Sequence, residues 1–238
     1  MGIKYSVNKD FFKKWTPNMA YTLGYIYADG SLENADYLRG RYLRITSTDK
    51  DRILFIKKCL ESEHTVVKCK NFLKSRKTRY LLRIGDHILY DSLANHGLYP
   101  NKSLTIKLPK IPTKYLNSFL LGYFDGDGCV FLEQILGKRE KLIIKRLTVI
   151  FTSGSNIFLD SLNKLLKSKL KLKGSKVYKG KTACQLRYNT KDSILLFVFM
   201  YSNELKSFCL RRKFDIFMKY FQLRPTRINR AIENILLA

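Results

Sequence analysis

Two stretches of this sequence are versions of one another: Thr22-Leu23-Gly24-Tyr25-Ile26-Tyr27-Ala28-Asp29-Gly30 and Leu120-Leu121-Gly122-Tyr123-Phe124-Asp125-Gly126-Asp127-Gly128. Each is an apolar helical run with two small residues four apart, Gly24 with Ala28 and Gly122 with Gly126, and each closes on an acid followed by glycine. Residues four apart share one helix face, and a face of small residues lets two helix backbones approach closely. The spacing predicts that the two helices pack through Gly24, Ala28, Gly122 and Gly126, bringing Asp29 and Asp127 together. Gly30 and Gly128 fall where a helix favours a left-handed C′ residue, which places each aspartate at the negative end of a helix dipole. A carboxylate is disfavoured there and two neighbouring ones repel. The pair makes sense with a divalent cation beside it.

Composition says what such a site would act on. Lys and Arg number 45 against 19 Asp and Glu, a formal charge of +26 with pI near 9.9, and the excess runs along the whole chain. That is the electrostatic footprint of a nucleic-acid binder. With 45% hydrophobic residues the 238-residue chain has ample material for a core, in one domain or two small ones. Cys59, Cys69, Cys129, Cys184 and Cys209 form no Cys-x-x-Cys pair, and His64, His87 and His96 have no zinc-ligand spacing; a reduced intracellular compartment is expected. Met1 to Lys14 is polar and charged, without the apolar core of a secretory signal, and no apolar run is long enough to span a bilayer. No membrane partner is expected.

The remaining chain repeats one order of elements. Leu43 and Ile45 alternate with Arg44, Thr46 and Thr48, the pattern of a half-buried strand. Asp49 and Asp51 lead into Ile53, Ile56 and Leu60 at helical spacing. A basic stretch, Lys68 to Arg79, precedes a second strand in which Leu82 and Ile84 alternate with Arg83, and a helix from His87 then stops at Gly97. In the second half Leu147, Val149 and Phe151 alternate with Arg146, Thr148 and Thr152. Ser153-Gly154-Ser155-Asn156 opens a helix, and Leu186 and Tyr188 alternate with Gln185, Arg187 and Asn189. The chain reads as a duplication with a period of about 100 residues: an N-terminal half over 1–106, a linker over 107–113 and a C-terminal half over 114–238. Each half is αββαββα, an α+β arrangement whose antiparallel sheet buries one face and leaves the other free. The free faces offer Arg41, Arg44, Arg79, Arg83, Arg146, Gln185, Arg187 and Asn189, residue types that contact phosphates and base edges.

On these motifs and this duplicated order, covering nearly the whole chain, the sequence resembles a single-chain, two-motif LAGLIDADG homing endonuclease. The resemblance implies two pseudo-symmetric halves whose sheets form a DNA-binding saddle, and a monomer acting on double-stranded DNA. It implies that Asp29 and Asp127, with the adjacent Gly30 and Gly128, hold the catalytic Mg²⁺ or another divalent cation such as Mn²⁺ or Ca²⁺. The earlier motif acid is kept as Asp125 but replaced by Tyr27 in the first copy. That position is not the usual metal ligand, so activity is not expected to depend on it. A polar position beside the site maps onto Ser47 and Ser153. A basic one maps onto Lys102 and onto Lys213 or Arg211. The implied activity is site-specific double-strand cleavage of a long pseudo-palindromic target; the same fold also serves RNA-splicing maturases and DNA-binding regulators that have lost cleavage.

Overall fold

The computed structural model describes residues 5–35, 40–69, 77–136, 142–202 and 209–237; most of the basic stretch between Lys68 and Arg79 lies outside them. The chain forms two compact units, one of residues 1–102 with 109–126, the other of residues 103–108 with 127–238.

The first unit runs α1 (Pro17–Asp29), β1 (Gly30–Ala35), β2 (Gly40–Ser47), α2 (Lys50–Cys59), β3 (Val66–Lys68), β4 (Tyr80–Gly85) and α3 (His87–Asn95). Its sheet is antiparallel in the order β1-β2-β4-β3. The register sets Leu43 opposite Leu32 and Ile84, and Ile45 opposite Leu82. These alternate residues are buried with Ile53 and Ile56 of α2 and Leu89 and Leu93 of α3. Because side chains alternate across a strand, Arg44, Thr46 and Arg83 are left on the opposite face. Asp86 caps α3 by accepting the Leu89 N–H at 2.9 Å, and the chain leaves that helix through Gly97 at φ 91°, as its position predicts. To this unit is added nearly all of α4 (Leu116–Asp127), which belongs by sequence to the second repeat.

The second unit continues with β5 (Gly128–Leu136), β6 (Leu142–Ser153), α5 (Asn156–Leu170), β7 (Ser175–Lys179), β8 (Cys184–Tyr188) and α6 (Thr190–Tyr201). Its antiparallel order, β5-β6-β8-β7, reproduces the first sheet. Leu147, Val149, Phe151, Leu186 and Tyr188 are buried, as are Phe158, Leu159, Leu162 and Leu166 of α5. Ser155 caps α5 by accepting the Phe158 N–H. Two helices extend this unit beyond the duplicated pattern, α7 (Arg211–Leu223) and α8 (Arg230–Leu237). Phe214, Phe217 and Phe221 recur on one face of α7 and cluster around Phe197 and Tyr201 of α6, with centroids of Phe197 and Phe217 4.9 Å apart. The fold is thus α+β, with two four-stranded antiparallel sheets in duplicated halves.

Candidate active site and nucleic-acid interface

Helix α1 begins at a Thr16 cap, whose hydroxyl accepts the Met19 N–H at 3.1 Å, with Pro17 at the first helical position. Met19 to Tyr27 are all buried, as is Leu116 with Ser118 to Asp125 in α4, so both helices are covered all round. A side chain at Gly24 would overlap the Phe119 carbonyl, one at Gly122 the Tyr21 carbonyl, and one at Gly126 the Ala28 methyl. The small residues therefore bring backbone against backbone, as their spacing predicts.

The glycines after the acids act differently from expectation. Gly30 is extended, at φ −96° and ψ 156°, and Gly97 is the one positive-φ glycine among the described residues. No left-handed cap intervenes between helix and sheet: α1 passes directly into β1, and α4 into β5. Glycine is needed at position 30 because a Cβ there would lie 2.6 Å from Ile26 Cγ2 and 2.7 Å from the Ile26 oxygen. The direct handover places Asp29 and Asp127 as the last residues of their helices, both half-buried.

Around each motif end lies a buried lysine. Lys102, 5% exposed, donates from Nζ to the Tyr27 carbonyl at 2.7 Å, and Lys213, 3% exposed, donates to the Gly128 carbonyl at 2.6 Å. Burial of an ammonium costs on the order of several kcal/mol unless it is hydrogen-bonded and compensated by opposite charge. A motif carbonyl satisfies part of that demand in each case. The bond also assigns the Gly128 oxygen to a cation of the protein itself, which opposes a metal at the same atom. Arg211 is exposed and pairs with Asp215 at 3.0 Å, so of the two candidates in that segment Lys213 is the one that reaches the motif.

Ser47 and Ser153 occupy equivalent turns. Both are buried; Ser47 Oγ accepts the Asp49 N–H at 3.2 Å and Ser153 Oγ the Ser155 N–H at 3.1 Å. Ser47 also accepts the Tyr25 hydroxyl at 2.9 Å. Burial, and next the charge of Asp29, push the Tyr25 phenol far above its ordinary value, so it remains a donor beside the first motif acid. Tyr25 precedes Asp29 by one helical turn, a neighbour that i, i+4 spacing alone points to. Asp125, 1% exposed, accepts the Tyr21 hydroxyl at 2.7 Å within the α1–α4 contact. At the related place Tyr27 packs edge-on against Phe119, centroids 5.5 Å apart, and its hydroxyl donates to the His96 carbonyl at 2.6 Å. The Tyr27 and Asp125 difference is thus one of helix packing.

The expected sheet residues divide. Arg44 and Arg83 stand on the free face of the first sheet, both bonded to Glu33, at 3.1 and 3.0 Å. Arg79 is exposed, and its carbonyl accepts the Cys69 N–H at 2.8 Å beyond the last β3–β4 pair. Arg41 departs from expectation: its parity matches Leu43 and Ile45, and it pairs with Asp91 of α3 at 2.8 Å and lies over Tyr90. In the second sheet Arg146 and Arg187 are exposed, and Gln185 holds Arg187 through two hydrogen bonds of 2.6 and 3.0 Å. Asn189 is taken as the cap of α6, accepting the Asp192 N–H at 3.0 Å; it serves helix initiation before any ligand. Arg146, Arg187, Lys145, Lys173, Lys176 and Lys191 line a groove of about 890 Å³ on this unit.

Among the described residues no three His, Cys, Asp or Glu side chains gather as a metal cluster. The acids still fit a hard divalent cation, because Mg²⁺ keeps several waters and takes one or two carboxylates together with substrate phosphates. Among the described residues no helix is long and apolar enough to cross a membrane.

Residues 114–199 match the model of a family described as a LAGLIDADG-like domain. Curated proteins yield no match. Solved structures do. The homing endonuclease I-WcaI bound to its DNA recognition sequence is 17% identical, with TM-score 0.58 over 86% of this chain and 89% of that one. The I-LtrWI LAGLIDADG homing endonuclease bound to target DNA is 14% identical, with TM-score 0.55 over 96% of both chains. The meganuclease I-SmaMI bound to uncleaveable DNA is 15% identical, with TM-score 0.53 over 78% of this chain and 84% of that one.

Proposed function

We propose that this protein is a metal-dependent, site-specific double-strand DNA endonuclease, since residues 114–199 match the model of a LAGLIDADG-like domain and the chain shares the fold of LAGLIDADG homing endonucleases. The observation that carries the reading is that each repeat pairs a helix-terminal aspartate with a buried lysine bonded to a motif carbonyl: Asp29 with Lys102 on Tyr27, and Asp127 with Lys213 on Gly128. A fold needs neither a carboxylate at a helix C-terminus nor a buried ammonium for stability. Both features in both repeats point to chemistry.

In this reading the free sheet faces hold duplex DNA by phosphate and base-edge contacts, and the protein acts as a monomer because one chain supplies both repeats. Asp29 and Asp127 would each offer a carboxylate oxygen to Mg²⁺, or to Mn²⁺ or Ca²⁺. When bound, such a cation would supply charge neutralisation at the phosphate and a more acidic water. Lys102 and Lys213, fixed by their carbonyls, present positive charge where the phosphodiester develops negative charge. Tyr25, kept protonated, holds Ser47 and steadies the end of α1 beside Asp29. The test is selection of cleaved duplexes from a randomised library with Mg²⁺. Asp29→Asn and Asp127→Asn should each abolish double-strand cleavage and leave binding largely intact; a variant that cuts both strands at the wild-type rate sinks the proposal.

A further inference from the structure

The free faces of the two sheets, each taken within its own unit, differ in chemistry at corresponding places. In the first unit Glu33 of β1 accepts Arg44 Nη1 at 3.1 Å and Arg83 Nε at 3.0 Å, and the Arg83 guanidinium lies 3.7 Å over the Tyr42 ring. This is a donor-rich surface, suited to the O6 and N7 acceptors of guanine. In the second unit the residue at the same place after the motif is Phe131, and Ile150 stands where the first sheet has Arg44, three before the strand's closing serine. Phe131 is 53% exposed and pairs with Thr148 across the sheet, two residues along from the pair of Cys129 with Ile150 and so on the same face. Phe131, Thr148 and Ile150 all line the groove of about 890 Å³ whose other side chains include six lysines and arginines. Its one acid, Glu133, pairs with Lys145 at 2.9 Å.

An exposed phenylalanine amid cations calls for an occupant that is anionic outside and apolar at the point of contact. Duplex DNA meets both demands, through its phosphates and through the C5-methyl of thymine, the apolar feature of a major-groove base edge. We propose that Phe131 and Ile150 are specificity-determining residues through which the second sheet reads thymine methyl groups. The proposal rests on the endonuclease reading, and the test separates the two.

A duplex selected by the protein is resynthesised with each thymine replaced singly by deoxyuridine, which removes only the methyl, and affinity is measured without divalent cation. Loss of one buried methyl should weaken binding about fourfold at one or a few adjacent thymines. Phe131→Ala and Ile150→Ala should each erase the thymine preference at a subset of those positions and retain it elsewhere. Thermal unfolding confirms that the variants are folded, and the ratio of thymine to deoxyuridine affinity is a quantity that a general loss of stability does not change. Tolerance of deoxyuridine at every position overturns the proposal, as does an unchanged preference in both variants. Failure to select any duplex overturns the endonuclease reading itself, before deoxyuridine is introduced.

Discussion

Asp125 and Asp127 are two residues apart and do opposite things. Asp127 ends its helix half-buried, whereas Asp125 is 1% exposed and accepts the Tyr21 hydroxyl at 2.7 Å. Burial first, and then the Asp125 charge, hold the Tyr21 phenol well above its ordinary value, with Arg52 opposing them. An Arg–Tyr–Asp arrangement in the interior is worth keeping whole, because one partner lost leaves a desolvated polar group behind. Tyr21→Phe should therefore cost about 1–3 kcal/mol, read as a lower urea midpoint at unchanged slope. Asp125→Asn should be destabilised similarly and, once folded, cut its selected duplex at close to the wild-type rate. A cleavage loss in Asp125→Asn as deep as in Asp127→Asn would return Asp125 to the catalytic machinery. None of this pair was legible in the sequence, where Tyr21 and Asp125 lie far apart. What was legible at this scale were the two terminal acids, since each is followed by glycine in both copies; the lysines carry no local signal in so basic a chain and are reached only through the family resemblance.

At the scale of elements, α1 and α4 are readable from their own residues, whereas β1 is read only from its place in the repeated αββαββα order. Small residues four apart are a local signal with one geometric meaning, so the close helix contact follows from spacing. Gly24 faces the Phe119 carbonyl and Gly122 the Tyr21 carbonyl, and neither backbone can retreat without moving a helix that is buried all round. Gly24→Ala or Gly122→Ala gains about 1 kcal/mol of helix propensity against an overpacking cost of about 1–3 kcal/mol or more. Because the obstacle is main chain rather than a flexible side chain, the cost should fall at the upper end of that range and overpacking should win, with net destabilisation of about 2 kcal/mol. Chemical denaturation reads this directly; an alanine variant as stable as wild type would mean that the helices do not meet at these positions. By contrast β1 is Gly-Ser-Leu-Glu-Asn-Ala, with a single large apolar residue and little strand propensity. It exists because α1 delivers it alongside β2, from Gly30 opposite Ile45 onward. The same tertiary cause defeats the expectation of left-handed glycines, since an Asp-Gly step looks alike whether the chain turns after a helix or runs straight into a sheet.

Across the whole molecule the decisive quantity is the charge of +26, and the structure sharpens how much of it is available. Several acids are spent internally: Asp86 caps α3, Asp192 accepts the Lys173 and Gly174 N–H groups, and Asp125 is buried. Others, Glu33 and Glu133, lie on the sheets but are covered by Arg44, Arg83 and Lys145. The acids thus organise cations more than they offset a ligand's field, and exposed lysines and arginines in both units are left to meet phosphates. Each phosphate so neutralised releases condensed counterions, giving a slope of log affinity against log salt of about −0.9 per contact on duplex DNA. With about 6–10 contacts, affinity for the selected duplex should fall by roughly 10³–10⁵ between 50 and 200 mM salt. Replacing Arg146 or Lys176 by Gln should reduce the slope by about one and weaken binding to all sequences alike, whereas Phe131→Ala should leave the slope unchanged. Titrations at four or five salt concentrations distinguish these cases. A shallow slope in the wild-type protein would mean that the cationic excess serves something other than a polyanion, and the case for a nucleic-acid substrate would lose its largest support.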